Sequence, residues 1–216
     1  STPKYPRSLR KALIPDLETY PVVALMGARQ VGKSTLGREL AEERGMAYRT
    51  LDDRDVLRQA REDPEGLLDE LAGAGFIDEA QRAPELFLAV KAVVDRDQRA
   101  GQYLLSGSNQ PVMPGAVGDS LLGRAAYRTL RPLTLSELRL SETHAGWDFL
   151  FDHDTPGVIE ELERRAAASG MLNWRTTVET GGFPKAVAAT ADMRRRLLDD
   201  YVEVFANRDI RELLAI

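Results

Sequence analysis

The residues best suited to chemistry form a glycine-punctuated run, Gly27 to Ser34, with the spacing of a phosphate-binding loop. Gly27 and Gly32 allow backbone conformations that a β-carbon would block, so successive backbone amides can point inward at an anion. Lys33 would bring a positive charge to the β- and γ-phosphates of a nucleotide, and the Ser34 hydroxyl could bind Mg²⁺. The run therefore predicts a nucleoside triphosphate site. The residues expected to contact the nucleotide are Gly27, Ala28, Arg29, Gln30, Val31, Gly32, Lys33, Ser34 and Thr35.

Two acidic residues, Asp78 and Glu79, follow a short apolar run and could complete this site. Asp78, at the end of a buried strand, could hold Mg²⁺ through water, and Glu79 would face the γ-phosphate and polarise the attacking water. The pairing is typical of phosphate-loop ATPases with an additional strand between the two motifs, and the chain has room for that strand. Small-molecule kinases usually lack the second acid, so Glu79 favours hydrolysis over phosphoryl transfer. The alternative is that the pair only caps the next helix.

Alternating apolar runs and helical patterns predict an α/β fold that positions these residues. Continuous apolar runs are typical of strands buried on both faces of a parallel sheet, and they predict five strands at 21–26, 46–51, 75–78, 102–106 and 125–130. The segments around these strands predict helices at 7–19 and 34–44 and a further helix that begins at Pro84. Between the second and third strands they predict helical segments that are interrupted at Pro64 and end at about residue 72. The phosphate loop would then join the first strand to a helix whose positive dipole end faces the phosphates.

After about residue 132 the pattern changes to helices only. Thr155 and Pro156 are typical of an N-cap and first turn, and they predict a helix over 157–169. A last helix is expected over 192–216. We therefore predict a phosphate-loop core over 1–140 and, over 141–216, a helical segment that begins or bridges to a further domain.

Composition and charge argue against several other classes of protein. The chain has no cysteine and two histidines, so disulfides, thiolate metal sites and multi-histidine centres are not expected. Its 29 basic and 34 acidic residues give a net charge of -5, which does not indicate DNA binding through overall charge. No segment approaches the roughly 18 apolar residues of a membrane span, and the N-terminus lacks the apolar core of a secretion signal. We therefore expect a cytoplasmic protein without a membrane partner.

A polar connector and a basic run each have two interpretations. His144, Asp148, His153 and Asp154 could form a metal cluster, but their irregular spacing favours a polar connector. The run Arg194–Arg196 could contact DNA or a protein partner, or it could form a solvated helix face.

In combination, the motifs resemble a family of bacterial and archaeal AAA-type ATPases, many known only as predicted ATP-binding proteins with a C-terminal domain of unknown function. The resemblance implies a P-loop NTPase sheet of strand order 5-1-4-3-2, ATP and not GTP as ligand, and a homo-oligomer or the protein's own C-terminal domain as partner. Ser34 stands where threonine is commoner, and Arg194, Arg195 and Arg196 are only candidates for a second-sensor arginine. The matching stretches are 27–36, 51–53, 76–86, 104–108, 122–124, 132–137, 181–184 and 208–210.

The implied strand order places the end of the fourth strand beside the γ-phosphate. Ser108 or Asn109 could therefore act there as a polar sensor, with a solvated turn as the alternative. Arg124 could neutralise transition-state charge, in the same chain or from a neighbouring subunit, or it could be a surface or acid-paired arginine. Arg29 and Gln30 could point at the nucleotide or toward the rest of the protein.

The sequence thus predicts an ATP-binding, Mg²⁺-dependent ATP-hydrolysing domain of the AAA type, with ATP or ADP as its ligand. Glu79, Lys33 and Arg124 are the expected catalytic residues, and Ser34 and Asp78 are the expected Mg²⁺ ligands. Two alternatives stay open. One is a nucleotide-gated switch with little hydrolysis, and the other is a DNA-associated ATPase that uses arginine-rich helices.

Overall fold

The computed structural model describes residues 4–108, 121–138, 149–168 and 174–209, and a five-stranded parallel sheet forms its centre. The strands lie in the order β2-β3-β4-β1-β5, which is the expected order 5-1-4-3-2 read from the opposite edge. The predicted fold class is therefore confirmed. The strands are β1 Val22–Gly27, β2 Ala47–Thr50, β3 Gly75–Asp78, β4 Tyr103–Ser108 and β5 Ala125–Thr129.

The three inner strands are buried because helices cover both faces of the sheet. Every residue of β3 and β4 is buried, and β1 is buried at all positions but one. This agrees with the continuous apolar runs from which the strands were predicted. Strand β4 extends two residues beyond its predicted end, to Ser108, because Ser108 lies in register with Gly27 at the end of β1.

Five helices of the core pack on the two faces of the sheet. Helices α1 and α2 cover one face with a cluster that includes Leu13, Leu36 and Phe76. Helices α3 to α5 cover the other face with a cluster that includes Leu67 and Phe87. The helices are α1 Arg10–Thr19, α2 Lys33–Glu43, α3 Arg54–Glu62, α4 Pro64–Glu70 and α5 Glu85–Arg96, with a 3₁₀ turn at Ala80–Arg82.

Aspartates determine where α3 and α4 begin. The side chain of Asp53 accepts hydrogen bonds from the amides of Asp55 and Val56 at the start of α3. The side chain of Asp63 accepts one from Gly66 at the start of α4, whose first residue is Pro64. The predicted interruption at Pro64 is therefore a change from one capped helix to the next.

Past β5 the described residues form helices only, as predicted. Asp154 caps α8, since its side chain accepts a hydrogen bond from the Gly157 amide at 3.1 Å, and Thr155 is the first helical residue instead of the predicted N-cap. The last α-helix, Ala191–Val204, confirms the first part of the helix predicted over 192–216. It ends in a turn of π-helix, Phe205–Asp209, so the prediction of one continuous α-helix is wrong from Phe205, and 210–216 lie outside the described residues. The helices are α6 Leu135–Leu138, α7 Phe149–Asp152, α8 Thr155–Ala168, α9 Trp174–Thr180, α10 Pro184–Val187 and α11 Ala191–Val204.

The turn before α10 attaches this helical part to the core. The Leu133 amide donates to the Gly182 carbonyl at 2.7 Å, and Phe183 packs against the cluster under α1 and α2. Ala186 in α10 is buried. The predicted boundary between 140 and 141 lies outside the described residues and stays a prediction. In the described part of the chain, no helix is both long enough and apolar enough to cross a membrane.

Candidate nucleotide-binding site

The phosphate loop leaves the end of β1 and turns into α2, as the sequence predicts. Gly27 and Gly32 both have positive φ, at 153° and 100°, a region that favours glycine. A β-carbon at Gly27 would lie 2.4 Å from the carbonyl oxygen of Leu130, so only glycine fits the exit from the strand. The loop therefore has the backbone of an anion nest at a helix N-terminus.

Lys33 is the first residue of α2 and its side chain folds back over the loop. Its Nζ donates to the carbonyls of Gly27 at 3.0 Å and Ala28 at 2.9 Å. Burial lowers the pKa of Lys33, while the carboxylates of Glu79 and Asp78 act to raise it. The ammonium thus lies in the field of both acidic residues, which is the arrangement that the two sequence motifs predicted.

Asp78 ends β3 and is held by two hydroxyl groups. The Ser106 hydroxyl on β4 donates to Oδ1, and the Tyr48 hydroxyl on β2 donates to Oδ2 at 3.4 Å. Tyr48 in turn accepts a hydrogen bond of 2.7 Å from Arg38, whose guanidinium also lies over the Tyr48 ring. The two strands that flank β3 therefore orient this carboxylate.

The residues present fit a magnesium ion. Ser34 and Asp78 supply a hydroxyl and a carboxylate, which are the hard oxygen ligands that Mg²⁺ prefers. The described residues contain no group of three or more His, Cys, Asp or Glu side chains that could hold a metal ion by themselves.

Glu79 adopts a left-handed backbone conformation, with φ of 57°, at the tip of β3. Its carboxylate accepts a hydrogen bond of 2.6 Å from the Gln81 side-chain amide, whose Nε2 also lies 3.4 Å from the Ser108 hydroxyl. A carboxylate can only accept, so the amide nitrogen and not its oxygen must face Glu79. Gln81 Oε1 is then buried with no hydrogen-bond partner among the described residues.

A cavity of about 860 Å³ opens over the phosphate loop and the start of α2. Its size suits a nucleotide, because small-molecule sites run from about 300 to 1,000 Å³. Glu79 lines it beside the loop residues, which brings the general-base candidate and Lys33 to one space. The remaining wall comes from two distant parts of the chain, with Lys4, Tyr5 and Arg7 from the N-terminal segment and Pro184, Lys185, Tyr201, Val204 and Phe205 from the C-terminal helices.

The sequence model of the AAA domain family matches residues 19–139, which is more than half of the chain. The chain belongs to the AAA domain family. The matched residues run from the end of α1 past α6 and include the phosphate loop and both acids. The chain is therefore a nucleotide-binding domain of the ATPase type, and several of the matched residues line the cavity.

Two curated relatives of this AAA domain are uncharacterized proteins of Mycobacterium tuberculosis and Mycobacterium bovis. Each is 36% identical over 140 residues, which is 64% of this chain and 30% of the relative. The chain thus matches less than a third of the length of these relatives.

Solved structures similar to this AAA domain include the Walker-type ATPase PABY2304 of Pyrococcus abyssi, with 20% identity and a TM-score of 0.43 over 96% of this chain and 77% of that one. AMPPCP-bound DnaA from Aquifex aeolicus has 13% identity and a TM-score of 0.41 over 73% of this chain and 58% of that one. Because both scores are low, the family assignment depends on the matched family model.

The structure places Arg124 away from the nucleotide cavity of its own chain. It directly precedes β5, whose first residue lies in register with Val22 at the start of β1, whereas the phosphate loop follows the opposite end of β1. Its Nε donates to Asp95 at the end of α5, and Nη1 donates to the Leu122 carbonyl. The expected role within the same chain is therefore wrong, and a role from a neighbouring subunit stays a prediction.

Ser108 lies where the sequence placed it, buried at the end of β4 beside Gly27, and it contacts Gln81. Its role as a sensor stays a prediction, and Asn109 lies outside the described residues. Gln30 and Arg29 both line the cavity. Arg194 donates to the carbonyls of Ala186 and Ala189 at the end of α10, so it caps a helix instead of facing the cavity as a second sensor. Of the proposed metal cluster, His144 and Asp148 lie outside the described residues.

Sequence reasoning missed several residues that touch the site, among them Gln81 and Arg7. Gln81 carried a detectable signal, because it lies two positions after Glu79 in the stretch 76–86 that carried the family resemblance. Arg7 carried none, because its partners in the loop and beyond β5 lie 24 and 124 positions away.

Proposed function

We propose that this AAA domain binds ATP with Mg²⁺ and hydrolyses it to ADP and phosphate. The single observation that carries the proposal is that the Glu79 carboxylate and the Lys33 ammonium line one nucleotide-sized cavity above the phosphate loop. The electrostatic influence of Glu79 and Asp78 on Lys33 supports this arrangement.

The chain's own residues supply the steps of the reaction. Lys33 exchanges the Gly27 and Ala28 carbonyls for the β- and γ-phosphate oxygens. Glu79 takes a proton from water as the water oxygen attacks the γ-phosphorus, and the bond from that phosphorus to the β,γ-bridging oxygen breaks. Ser34 and Asp78 would hold Mg²⁺, which supplies positive charge to the phosphates.

The base of the nucleotide would lie against aromatic residues of the cavity wall. Tyr5 and Tyr201 line the cavity, and the Tyr201 ring lies 4.8 Å from Phe183 and 6.3 Å from Phe205, centroid to centroid. Aromatic faces accept a planar base by stacking. The choice of ATP over GTP comes from the family.

Binding and turnover assays with ATP, GTP and ADP, with and without Mg²⁺, test the proposal. Glu79→Gln should leave ATP affinity near the wild-type value and lower turnover by about 10²–10⁴. Lys33→Ala should weaken binding itself, because it removes the ammonium expected to contact the β- and γ-phosphates. Glu62→Gln, an exposed isosteric change on α3, serves as the control. Wild-type turnover in Glu79→Gln would remove Glu79 as the general base.

A nucleotide-gated switch is the second candidate, and the Gln81–Glu79 hydrogen bond favours it. A general base that already accepts a strong hydrogen bond is less available to water, which fits slow intrinsic turnover. Single-turnover hydrolysis separates the two candidates, since a switch would retain bound ATP over many minutes and an ATPase would convert it. The association of Arg194–Arg196 with DNA stays an untested prediction.

A further inference from the structure

The N-terminal segment before α1 crosses the phosphate loop, and Arg7 is buried at the crossing. Its side chain is 8% exposed. Its Nη1 donates to the Val31 carbonyl of the loop at 2.6 Å, and its Nη2 donates to the Arg131 carbonyl beyond β5 at 2.5 Å. One guanidinium therefore joins the phosphate loop to the segment that follows the last strand.

The phosphate loop needs such a donor. A loop that turns its amides inward to form an anion nest leaves carbonyls facing away from the ligand, and buried carbonyls require hydrogen bonds. Arg7 satisfies the carbonyl of Val31, which is fully buried. A β-carbon at Gly32 would lie 3.4 Å from Arg7 Nη1, so the guanidinium packs directly on the loop.

Glu137 holds the other side of the Arg7 guanidinium. Its Oε1 lies 3.4 Å from Arg7 Nε and accepts the Ser8 amide at 2.7 Å. Its Oε2 accepts the Thr134 amide at 2.9 Å, and the Glu137 amide donates to the Thr134 hydroxyl at 3.3 Å, which together form a capping box at the start of α6. Both charges are buried, so removal of one leaves the other uncompensated.

The segment 131–137 also contacts the helical part of the chain. The Leu133 amide donates to the Gly182 carbonyl at 2.7 Å, and a β-carbon at Gly182 would lie 2.7 Å from the Leu133 carbonyl and 2.9 Å from Pro132 Cβ. The chain then enters α10, where Pro184 and Lys185 line the nucleotide cavity. The path from Val31 through Arg7 and segment 131–137 to α10 is therefore continuous.

We propose that Arg7 is a positioning residue that links the phosphate loop, through segment 131–137, to α10. Through this link, a ligand bound to the loop stabilises α10 at the start of the C-terminal helices. Arginine suits this role because its planar fork donates to two carbonyls while it pairs with a carboxylate, whereas a lysine ammonium is a single point charge. The link itself follows from contacts between residues of the chain. Its response to ATP rests on the proposed function.

Hydrogen exchange of the nucleotide-free chain tests the link in Arg7→Ala, Arg7→Lys and wild type. Amides of 27–33 and 181–187 should exchange about tenfold faster in Arg7→Ala, which corresponds to losing a hydrogen bond of about 1.5 kcal/mol. Arg7→Lys should restore part of the protection. Arg10→Ala is the matched control, because Arg10 lies three residues away and forms an exposed ion pair with Glu43. It should leave both segments within twofold of wild type.

Two results would overturn the link. In one, exchange accelerates in 27–33 while 181–187 keeps its wild-type rates in both Arg7 variants. In the other, every peptide of the chain accelerates by the same factor in Arg7→Lys and in Arg7→Ala, which would show a role in folding alone.

Exchange in the presence of saturating ATP and Mg²⁺ then separates this proposal from the proposed function. In wild type, ATP should slow exchange in both 27–33 and 181–187, whereas in Arg7→Ala the protection of 181–187 should be smaller, because only direct contacts of the ligand with Pro184 and Lys185 remain. Equal ATP protection of 181–187 in Arg7→Ala would overturn the link. If ATP fails to protect 27–33 in wild type, the proposed function is wrong, and the nucleotide-free comparison still decides the role of Arg7.

Discussion

Lys33 and Glu79 are each held by hydrogen bonds to neighbouring residues of the chain. Lys33 donates to two loop carbonyls, and Glu79 accepts from Gln81. Hydrogen bonds to charged groups contribute about 1.5–3 kcal/mol each. Exchanging the carbonyls for phosphate oxygens favours binding, because the phosphate carries full negative charge. In the proposed reaction, releasing Glu79 from Gln81 brings no such gain, so we expect the Gln81 amide to control how available Glu79 is as a base.

Replacing Gln81 with alanine should raise turnover. Loss of the amide frees the Glu79 carboxylate to accept a proton from water, and a gain of about 1.4 kcal/mol in the transition state is a tenfold increase in kcat. Gln81 is expected to act on the base and not on the phosphates, so ATP affinity should change by less than about twofold. Steady-state turnover and equilibrium binding measure the two effects.

Gln59→Ala is the matched control for Gln81→Ala. Gln59 donates to Glu70 at 2.7 Å on the protein surface, which is the same kind of amide–carboxylate bond outside the site. It should leave kcat unchanged. A fall in kcat of Gln81→Ala below wild type would instead show that the amide holds Glu79 in its productive position.

Arg124→Ala should leave the turnover of the dilute protein within about twofold of wild type. Arg124 precedes β5 at the N-terminal end of the parallel strands, whereas the phosphate loop follows the C-terminal end of β1. Arg124 pairs with Asp95, and exposed ion pairs contribute at most about 1 kcal/mol. Turnover measured over a range of protein concentrations checks this. A loss of 10² or more that appears only as the concentration rises would indicate that Arg124 acts on a neighbouring subunit.

Helix α2 places the phosphate loop by packing very closely on β3. A β-carbon at Gly37 would lie 2.3 Å from Phe76 Cζ, and Phe76 is fully buried, so the ring has no room to retreat. Alanine at Gly37 would gain up to about 1 kcal/mol of helix propensity. The steric cost outweighs that gain, because overpacking a filled core costs about 1–3 kcal/mol.

Gly37→Ala should therefore lower stability by about 1–2 kcal/mol net and weaken ATP binding, since α2 begins at Lys33. Urea unfolding and ATP titration measure the two effects. Gly37→Ala combined with Phe76→Leu should be less destabilised than the sum of the single variants, because the smaller side chain removes the clash. Strict additivity would contradict the proposed contact.

The capping box at α6 predicts a pH-dependent contribution from Glu137. Burial acts to raise the pKa of this carboxyl, but backbone hydrogen bonds from Thr134 and Ser8 and the charge of Arg7 outweigh burial and lower it below the ordinary 4.5. A carboxyl whose pKa is lowered by folding stabilises the native state above its unfolded pKa. That stabilisation is lost as the pH falls through the folded value.

Glu137→Gln should consequently cost about 2 kcal/mol of unfolding free energy at pH 7, and the difference from wild type should shrink below pH 4.5. Urea unfolding at a series of pH values provides the measurement. Exposed Glu62→Gln is the control variant in the same series. A difference that stays constant down to pH 3 would show that the Glu137 charge does not contribute.

At the scale of the molecule, the nucleotide cavity is built from four separate parts of the chain. Its floor is the phosphate loop with α2, and its walls come from the N-terminal segment, from Glu79 after β3, and from α10, α11 and the π-helical turn that follows. A ligand that contacts several of these parts should stabilise the whole fold, because it binds the native state and not the unfolded chain.

ATP with Mg²⁺ at about 100 times its Kd should add about 2.7 kcal/mol. For a domain of this size that is a rise in Tm of about 5–10 °C. Lys33→Ala should abolish most of the rise at the same ATP concentration, and removal of Mg²⁺ with a chelator should reduce it in wild type. Thermal unfolding followed by circular dichroism is the measurement, and an identical rise in Lys33→Ala would contradict the site.

Most of the phosphate site could be predicted from the sequence because its parts are close along the chain. The loop needs eight consecutive residues, and Asp78 and Glu79 directly follow their strand. The sheet was predictable because buried parallel strands are continuous apolar runs, and the strand order followed from the family resemblance. Helix ends were less predictable, as Asp154 shows, since neighbouring residues compete for the same cap.

The sequence by itself determined that this chain has a phosphate-loop motif between a buried strand and a helix, because that pattern is local. Only the tertiary structure decided that Arg7 donates to the loop, that Gln81 donates to Glu79 and that Arg124 lies at the end of the strands opposite the phosphate loop. Ser8 and Glu137 meet across 129 positions of sequence. Contacts of that kind depend on how strands and helices pack in three dimensions, and no short pattern of residues encodes them.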